Sequence, residues 1–197
     1  MRKSIGIVLS LATLLWMAAC APAAGSTTTS AQPGACVTSP APTVAVANFQ
    51  NSSAPGGITV IGVESAATAR LITMLKSSNC YQVIETDSAT VVPAGTDYVI
   101  TGTVTRATIG TPSARMFGIS VGATTAQVEI DVRAVQVATG AVAVSVRGAG
   151  DASNPNIATN RIPGGTVSFN DSAVGPLLAE AADEAVSQVL QALRARF

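Results

Sequence analysis

The sequence predicts an α/β fold: a two-layer sandwich in which a mixed β-sheet is covered by packed helices, the last of them long. Three observations predict it. Residues 43–49, 64–78 and 81–85 read as strand, helix and strand, an order that usually gives two parallel neighbours in one sheet. Residues 127–137 alternate Val128, Ile130 and Val132 with Glu129, Asp131 and Arg133, as a strand with one wet face does. Leu178, Ala182, Ala185, Val186, Val189 and Leu193 form an apolar stripe along a helix expected over about 174–194.

Each element has a local reason. Thr43-Val44-Ala45-Val46-Ala47-Asn48-Phe49 is apolar on both alternations, which suits a strand covered on both faces. Residues 50–57, with Pro55, Gly56 and Gly57, break it as a loop. In the first helix Ala67, Leu71, Met74 and Leu75 share a face, Lys76 suits the dipole, and Asn79 can stop the helix. Residues 87–97, carrying Pro93 and Gly95, are a linker, and 98–105 a third strand. The pattern weakens over 107–125, where glycines and Pro112 interrupt a stretch holding Arg115, Met116 and Phe117.

After the clear strand at 127–137, Thr139-Gly140 reads as a two-residue hairpin turn. Val135 would then oppose Val144, and Val132 meets Val146 only if one extra residue is inserted. That slip predicts a β-bulge near Arg133-Ala134. Residues 148–168, rich in Gly, Asn and Pro, read as a long loop, and Asn170, Asp171 or Ser172 as the cap of the last helix.

The amino terminus sets the address. Arg2 and Lys3 precede an uncharged, mostly apolar run, Ser4 to Ala19, shorter than the roughly 20 apolar residues of a comfortable membrane span. The run fits a signal peptide over 1–19. Met17-Ala18-Ala19-Cys20 resembles the lipobox of bacterial lipoproteins, in which the cysteine is acylated (the class carries palmitate-type chains) and becomes the new amino terminus. The alternative is an ordinary signal peptide cut near Ala24, with Cys20 discarded. A cysteine carrying several acyl chains is held stably, because each buried methylene contributes roughly 0.8 kcal/mol. Ala21 stands where an Asp would suggest retention at the inner membrane, so the resemblance favours the outer membrane, on its periplasmic face. Residues 20–42, rich in Ala, Ser, Thr and Pro, read as a flexible tether, leaving 43–197 as the folded domain.

Composition excludes several functions. The chain has 197 residues, 48% hydrophobic and 11% charged, with no histidine, the commonest general base and metal ligand. Without Arg2 and Lys3, nine basic residues face 11 acidic ones, which argues against a nucleic-acid partner. No cofactor or metal pattern is visible. Glu129 and Asp131 share a strand face and paired carboxylates can do acid–base work, but with Arg133 beside them they read better as a solvated face. Asp183-Glu184 read as the wet side of the last helix.

With Cys20 assigned to lipid, Cys36 and Cys80 remain, an even pair that reads as one disulfide in an oxidising compartment. Cys36 shortly precedes the first strand and Cys80 immediately precedes the second. In a parallel pair both starts lie at one end of the sheet. The alternative, a reactive thiol or metal pair, lacks a partner histidine and any CxxC spacing. Arg115, Met116 and Phe117 are the one apolar cluster expected in a loop, either an interface or membrane-touching tip or simply packed.

Ser65 to Leu75 followed by Tyr81-Gln82-Val83-Ile84-Glu85, then Asp97 to Val104, Ala114-Arg115-Met116-Phe117-Gly118-Ile119 and Val132 to Gly140, resemble the CsgG/HfaB family. That family contains the curli secretion lipoprotein of the outer membrane, and the likeness runs over about 44–193. It implies an anticodon-binding-domain-like core, subunits that form rings, and a non-enzymatic role in envelope assembly or in secretion of surface fibre subunits. The curli channel builds its barrel from two amphipathic hairpins per subunit. Here 107–125 offers at best a marginal first hairpin, and 148–168, with Asp151, Asn154, Pro155 and Arg161, fails as a second. A helix expected between the second and third strands is also missing.

Two functions therefore compete. One is an assembly or secretion lipoprotein, tied to the membrane by its lipid and docking envelope proteins, with a homo-oligomer possible. The other is a monomeric periplasmic module that binds and regulates a peptidoglycan synthase. The helix at 174–194 favours the first.

Overall fold

The computed structural model describes residues 39–53, 58–110, 114–116, 119–121, 123–155, 157 and 165–197. Among them the elements run β1 (Thr43–Ala47), β2 (Gln50–Asn51), β3 (Thr59–Ile61), α1 (Val63–Ser78), β4 (Gln82–Thr86) and β5 (Tyr98–Gly110). Then come β6 (Ala114–Met116), β7 (Ile119–Val121), β8 (Thr124–Gln136), β9 (Val142–Asn154), β10 (Thr166–Ser168) and α2 (Gly175–Arg194). The predicted α/β class holds: among the described residues there are a mixed sheet, two helices and no barrel.

The main sheet has the order β4-β1-β5-β8-β9, with β2 added beside β5. β1 is parallel to both neighbours, Val44 standing opposite Val83 of β4 and Tyr98 of β5. Its apolar residues on both alternations are explained by this central place: Val44 to Ala47 are all buried. β5, β8 and β9 continue antiparallel. α1 packs on β1, β4 and β5, α2 packs on β8, β9 and α1, and one core joins them. Leu71 and Leu75 of α1 and the whole expected stripe of α2 are fully buried. Each such leucine contributes on the order of 1.5–3 kcal/mol relative to exposure. Among the described residues no helix is long and apolar enough to cross a membrane.

The helix ends follow the sequence. Asn79 closes α1 in the left-handed region, at φ 56°, and donates its N–H to the Lys76 carbonyl. Asp171, one of three expected caps, precedes α2: its Oδ1 accepts the N–H groups of Ala173 and Val174 at 2.8 and 3.1 Å. No helix lies between β4 and β5; the return past β1 is the irregular chain 87–97.

Three expectations need correction. The turn after β8 has four residues, 137–140, between Gln136 and Ala141, whose N–H and carbonyl pair at 2.9 Å. A two-residue turn of the primed type would need positive φ at Thr139 as well as at Gly140, and a β-branched residue resists that. Only Gly140 takes it, at 68°. The bulge is real but shifted: Val132 opposes Val146 as expected, while Val135 opposes Val142, so the extra residue is Ala143 of β9.

The long loop expected over 148–168 is strand as far as Asn154. Gly148 and Gly150 are there for close approach rather than for turning. A Cβ on either would collide with the α2 backbone, that of Gly150 lying 2.9 Å from both the Ala181 carbonyl carbon and the Ala185 nitrogen. Alanines on α2 and glycines on β9 let the helix lie flat on the edge strand. Further on, Val167 of β10 pairs in parallel with Val60 of β3, a small side sheet that the loop-like flanks concealed.

Candidate functional site

The best-defined polar junction lies where the chain enters the domain, at the amino-terminal ends of β1 and β4. Pro42 accepts the Gln82 N–H at 3.0 Å, tying the entering chain to β4. Asp97 holds it from the other side. Its N–H donates to the Thr43 carbonyl at 2.9 Å, and its Oδ2 accepts the Thr43 N–H at 2.8 Å. The Asp97 carbonyl also accepts the Val137 N–H at 2.9 Å, so one residue joins the starts of β1 and β5 to the β8–β9 turn. In the sequence Asp97 reads only as the end of a linker; an Asp directly ahead of an alternating strand is the available signal.

Cys80 is buried at this same end, two residues before Gln82. Tyr81 is buried beside it, its ring meeting Phe197 edge-on at 6.4 Å, while Tyr98 packs on Phe197 at 4.4 Å. Burial pushes the Tyr81 hydroxyl above its ordinary range, partly opposed by the Arg194 charge. Among the described residues the buried Tyr81 Oη and Arg194 Nε find no hydrogen-bond partner. Cys20 and Cys36 lie outside the described residues.

Arg115 and Met116 fall in β6, which pairs with β7 as a short hairpin, Met116 opposite Ile119. Phe117 lies outside the described residues. β6 and β7 have three residues each, against the roughly 9–11 of a strand that spans a bilayer.

The carboxylates weighed for chemistry have arginine partners on neighbouring strands. Asp131 is gripped by Arg147 through Nε at 2.8 Å and Nη2 at 3.1 Å, which holds its carboxyl below the usual range. Arg106 lies 3.4 Å from Glu129. Asp183 faces α1: Arg70 Nε is 2.9 Å from its Oδ1, within ion-pair reach but off the hydrogen-bonding angle. Glu184 is not simply wet. It accepts the Asp151 N–H at 3.1 Å, and one turn on Gln188 accepts the Ala149 N–H at 3.1 Å and donates to its carbonyl at 2.8 Å. Two α2 side chains thus satisfy the outer edge of β9, which would otherwise offer bare backbone to another strand. Among the described residues no group of three or more His, Cys, Asp or Glu could hold a metal ion.

Residues 86–196, more than half of the chain, match the family model described as curli production assembly/transport component CsgG. The chain belongs to the CsgG family. No curated protein matches it. Among solved structures, the hypothetical protein CT253 from Chlamydia trachomatis is similar, with a TM-score of 0.53 at 8% identity, over 79% of this chain and 96% of that one. Lipoprotein GNA1162 from Neisseria meningitidis has a TM-score of 0.42 at 17% identity, over 60% and 88% of the two chains. The PelC dodecamer from Paraburkholderia phytofirmans has a TM-score of 0.42 at 17% identity, over 75% and 85%. The CT253 likeness concerns the fold alone. The CsgG match covers β5 through α2, the part that carries the three long strands and the helix lying on them.

Proposed function

We propose that this CsgG-family chain is a periplasmic lipoprotein of the outer membrane, anchored through acylated Cys20, that acts without catalysis. Its role in this reading is envelope assembly or export of surface fibre subunits, by docking other envelope proteins and copies of itself. The observation that carries the reading is the family match over 86–196. Met17-Ala18-Ala19-Cys20 after a basic, apolar leader supports the anchor. The junction at Pro42, Thr43 and Asp97 supports it too, since a tethered domain transmits pull into its sheet at that point.

The short β6–β7 hairpin and the pairing of β9 with β8 favour docking over a barrel built by this chain. In this reading Arg115, Met116 and Phe117 are the contact with a partner. Cys36 and Cys80 form the disulfide that fastens the tether to the domain. Pro42 bonded to Gln82 supports this, because it brings the segment after Cys36 alongside the residues that follow Cys80.

Size-exclusion chromatography of detergent-extracted full-length protein tests the role. A ring-sized assembly is expected. A monomer contradicts it and favours the module that regulates a peptidoglycan synthase.

A further inference from the structure

A cavity of about 370 Å³ opens beside the carboxyl ends of β1 and β4, bordered by the chain leaving each strand and by the middle of β5. In open α/β sheets this is where ligands bind: the crevice outside the carboxyl ends of strands, where successive connections run in opposite directions. Here the connection from β1 leads outward to β4, and the next returns past β1 to β5. The cavity thus occupies the switch point of this sheet.

Its chemistry is consistent on all sides. Asn48 and Gln50 come from the segment after β1, Asp87 and Ser88 from the segment after β4, and Thr101 and Thr103 from one face of β5. Amides, hydroxyls and one carboxylate converge from three separate segments. Among the described residues, no side chain or backbone group bonds the amides of Asn48 and Gln50, the Asp87 carboxylate, or the hydroxyls of Thr101 and Thr103. Thr101 and Thr103 stand two residues apart, about 7 Å along the strand. No basic side chain lines the cavity, and the single carboxylate disfavours an anion. One carboxylate is also too few for a dedicated divalent-cation cage. Apolar lining is limited to Ala47, Ala89 and Gly102.

We infer that this cavity binds an uncharged polyhydroxyl ligand, a single sugar residue with free hydroxyls. The Asp87 carboxylate accepts from neighbouring hydroxyls, and Gln50 and Asn48 donate and accept in plane. Thr101 and Thr103 bond the far side of the ring. Without an aromatic wall to stack on, affinity rests on hydrogen bonds that merely replace those to water, so binding is millimolar. The inference does not depend on the anchor or on the assembly role.

Saturation-transfer NMR on detergent-solubilised full-length protein tests it, with methyl β-glucoside and N-acetylglucosamine as probes and ethylammonium and trialanine as charged and peptide controls. Saturation should pass to the sugars and weaken at least about five-fold in Asp87→Ala and, separately, in Gln50→Ala. Both positions are exposed, so folding is not at stake, and Arg196→Ala, exposed beside Phe197 at the opposite end of the sheet, should leave the transfer unchanged. No transfer to either sugar, transfer unaffected by both cavity variants, or preference for ethylammonium or trialanine would overturn the inference.

Discussion

Gly150 of β9 lies directly under Ala181 of α2, so close that a Cβ on the glycine would collide with the alanine's carbonyl oxygen. Gly148 meets Ala185 in the same way one helical turn along. The obstacle in both cases is backbone, which cannot rotate aside as a side chain can. The helix can sit low enough to reach around the sheet edge only because two glycines lie beneath it.

Gly150→Ala and Gly148→Ala should therefore each destabilise the fold by about 1–3 kcal/mol, the usual cost of overpacking a filled core. Chemical denaturation measures it. Unchanged midpoints would mean that α2 does not rest on β9 in solution.

Gln188→Ala removes the amide that both accepts from and donates to Ala149. Stability should fall by roughly 0.5–1.5 kcal/mol per bond lost. The more specific readout is amide exchange: the Ala149 N–H should exchange faster, while Gly148 and Gly150, on the inner side of β9, stay protected.

Much of this arrangement was legible in the residues. Both helices, the parallel pair β1 and β4, and the alternation of Val128, Ile130 and Val132 were all expected and are observed. The stop at Asn79 and the apolar stripe of α2 were too. What was missed has one physical source: glycine and polar residues serve several ends. Gly148 and Gly150 read as loop because sequence alone does not separate a glycine that turns the chain from one that admits a neighbour. Asp97 read as linker although its carboxylate and backbone bind β1. The carboxylates of Glu129, Asp131 and Asp183 looked like free surface, and only the fold shows the arginines facing them.

Arg147→Ala should raise the titration point of Asp131 toward the ordinary value of about 3.9. Because the folded-state value is depressed, the pair's contribution is present above the unfolded carboxyl value and fades as pH falls through the folded one. The variant should flatten stability loss in acid without altering it near neutrality beyond the small effect of an exposed pair. NMR titration of the Asp131 carboxyl reads this directly; an unshifted curve would contradict the ion pair.

Cys36→Ser and Cys80→Ser should each abolish the proposed bridge and lower stability by about 2–4 kcal/mol, the typical value for closing a loop of this length. Peptide mass mapping under non-reducing conditions should find the two cysteines linked. Recovering Cys36 and Cys80 as separate alkylated thiols from periplasmic protein would sink this part of the account.

The most direct test of the whole account is the mass of the mature amino-terminal peptide, taken from the full-length protein expressed in a Gram-negative cell. The mature chain should begin at Cys20 and carry acyl groups, and should lose them in Cys20→Ser. A mature chain that begins at or beyond Ala24, or a Cys20 without lipid, would contradict it.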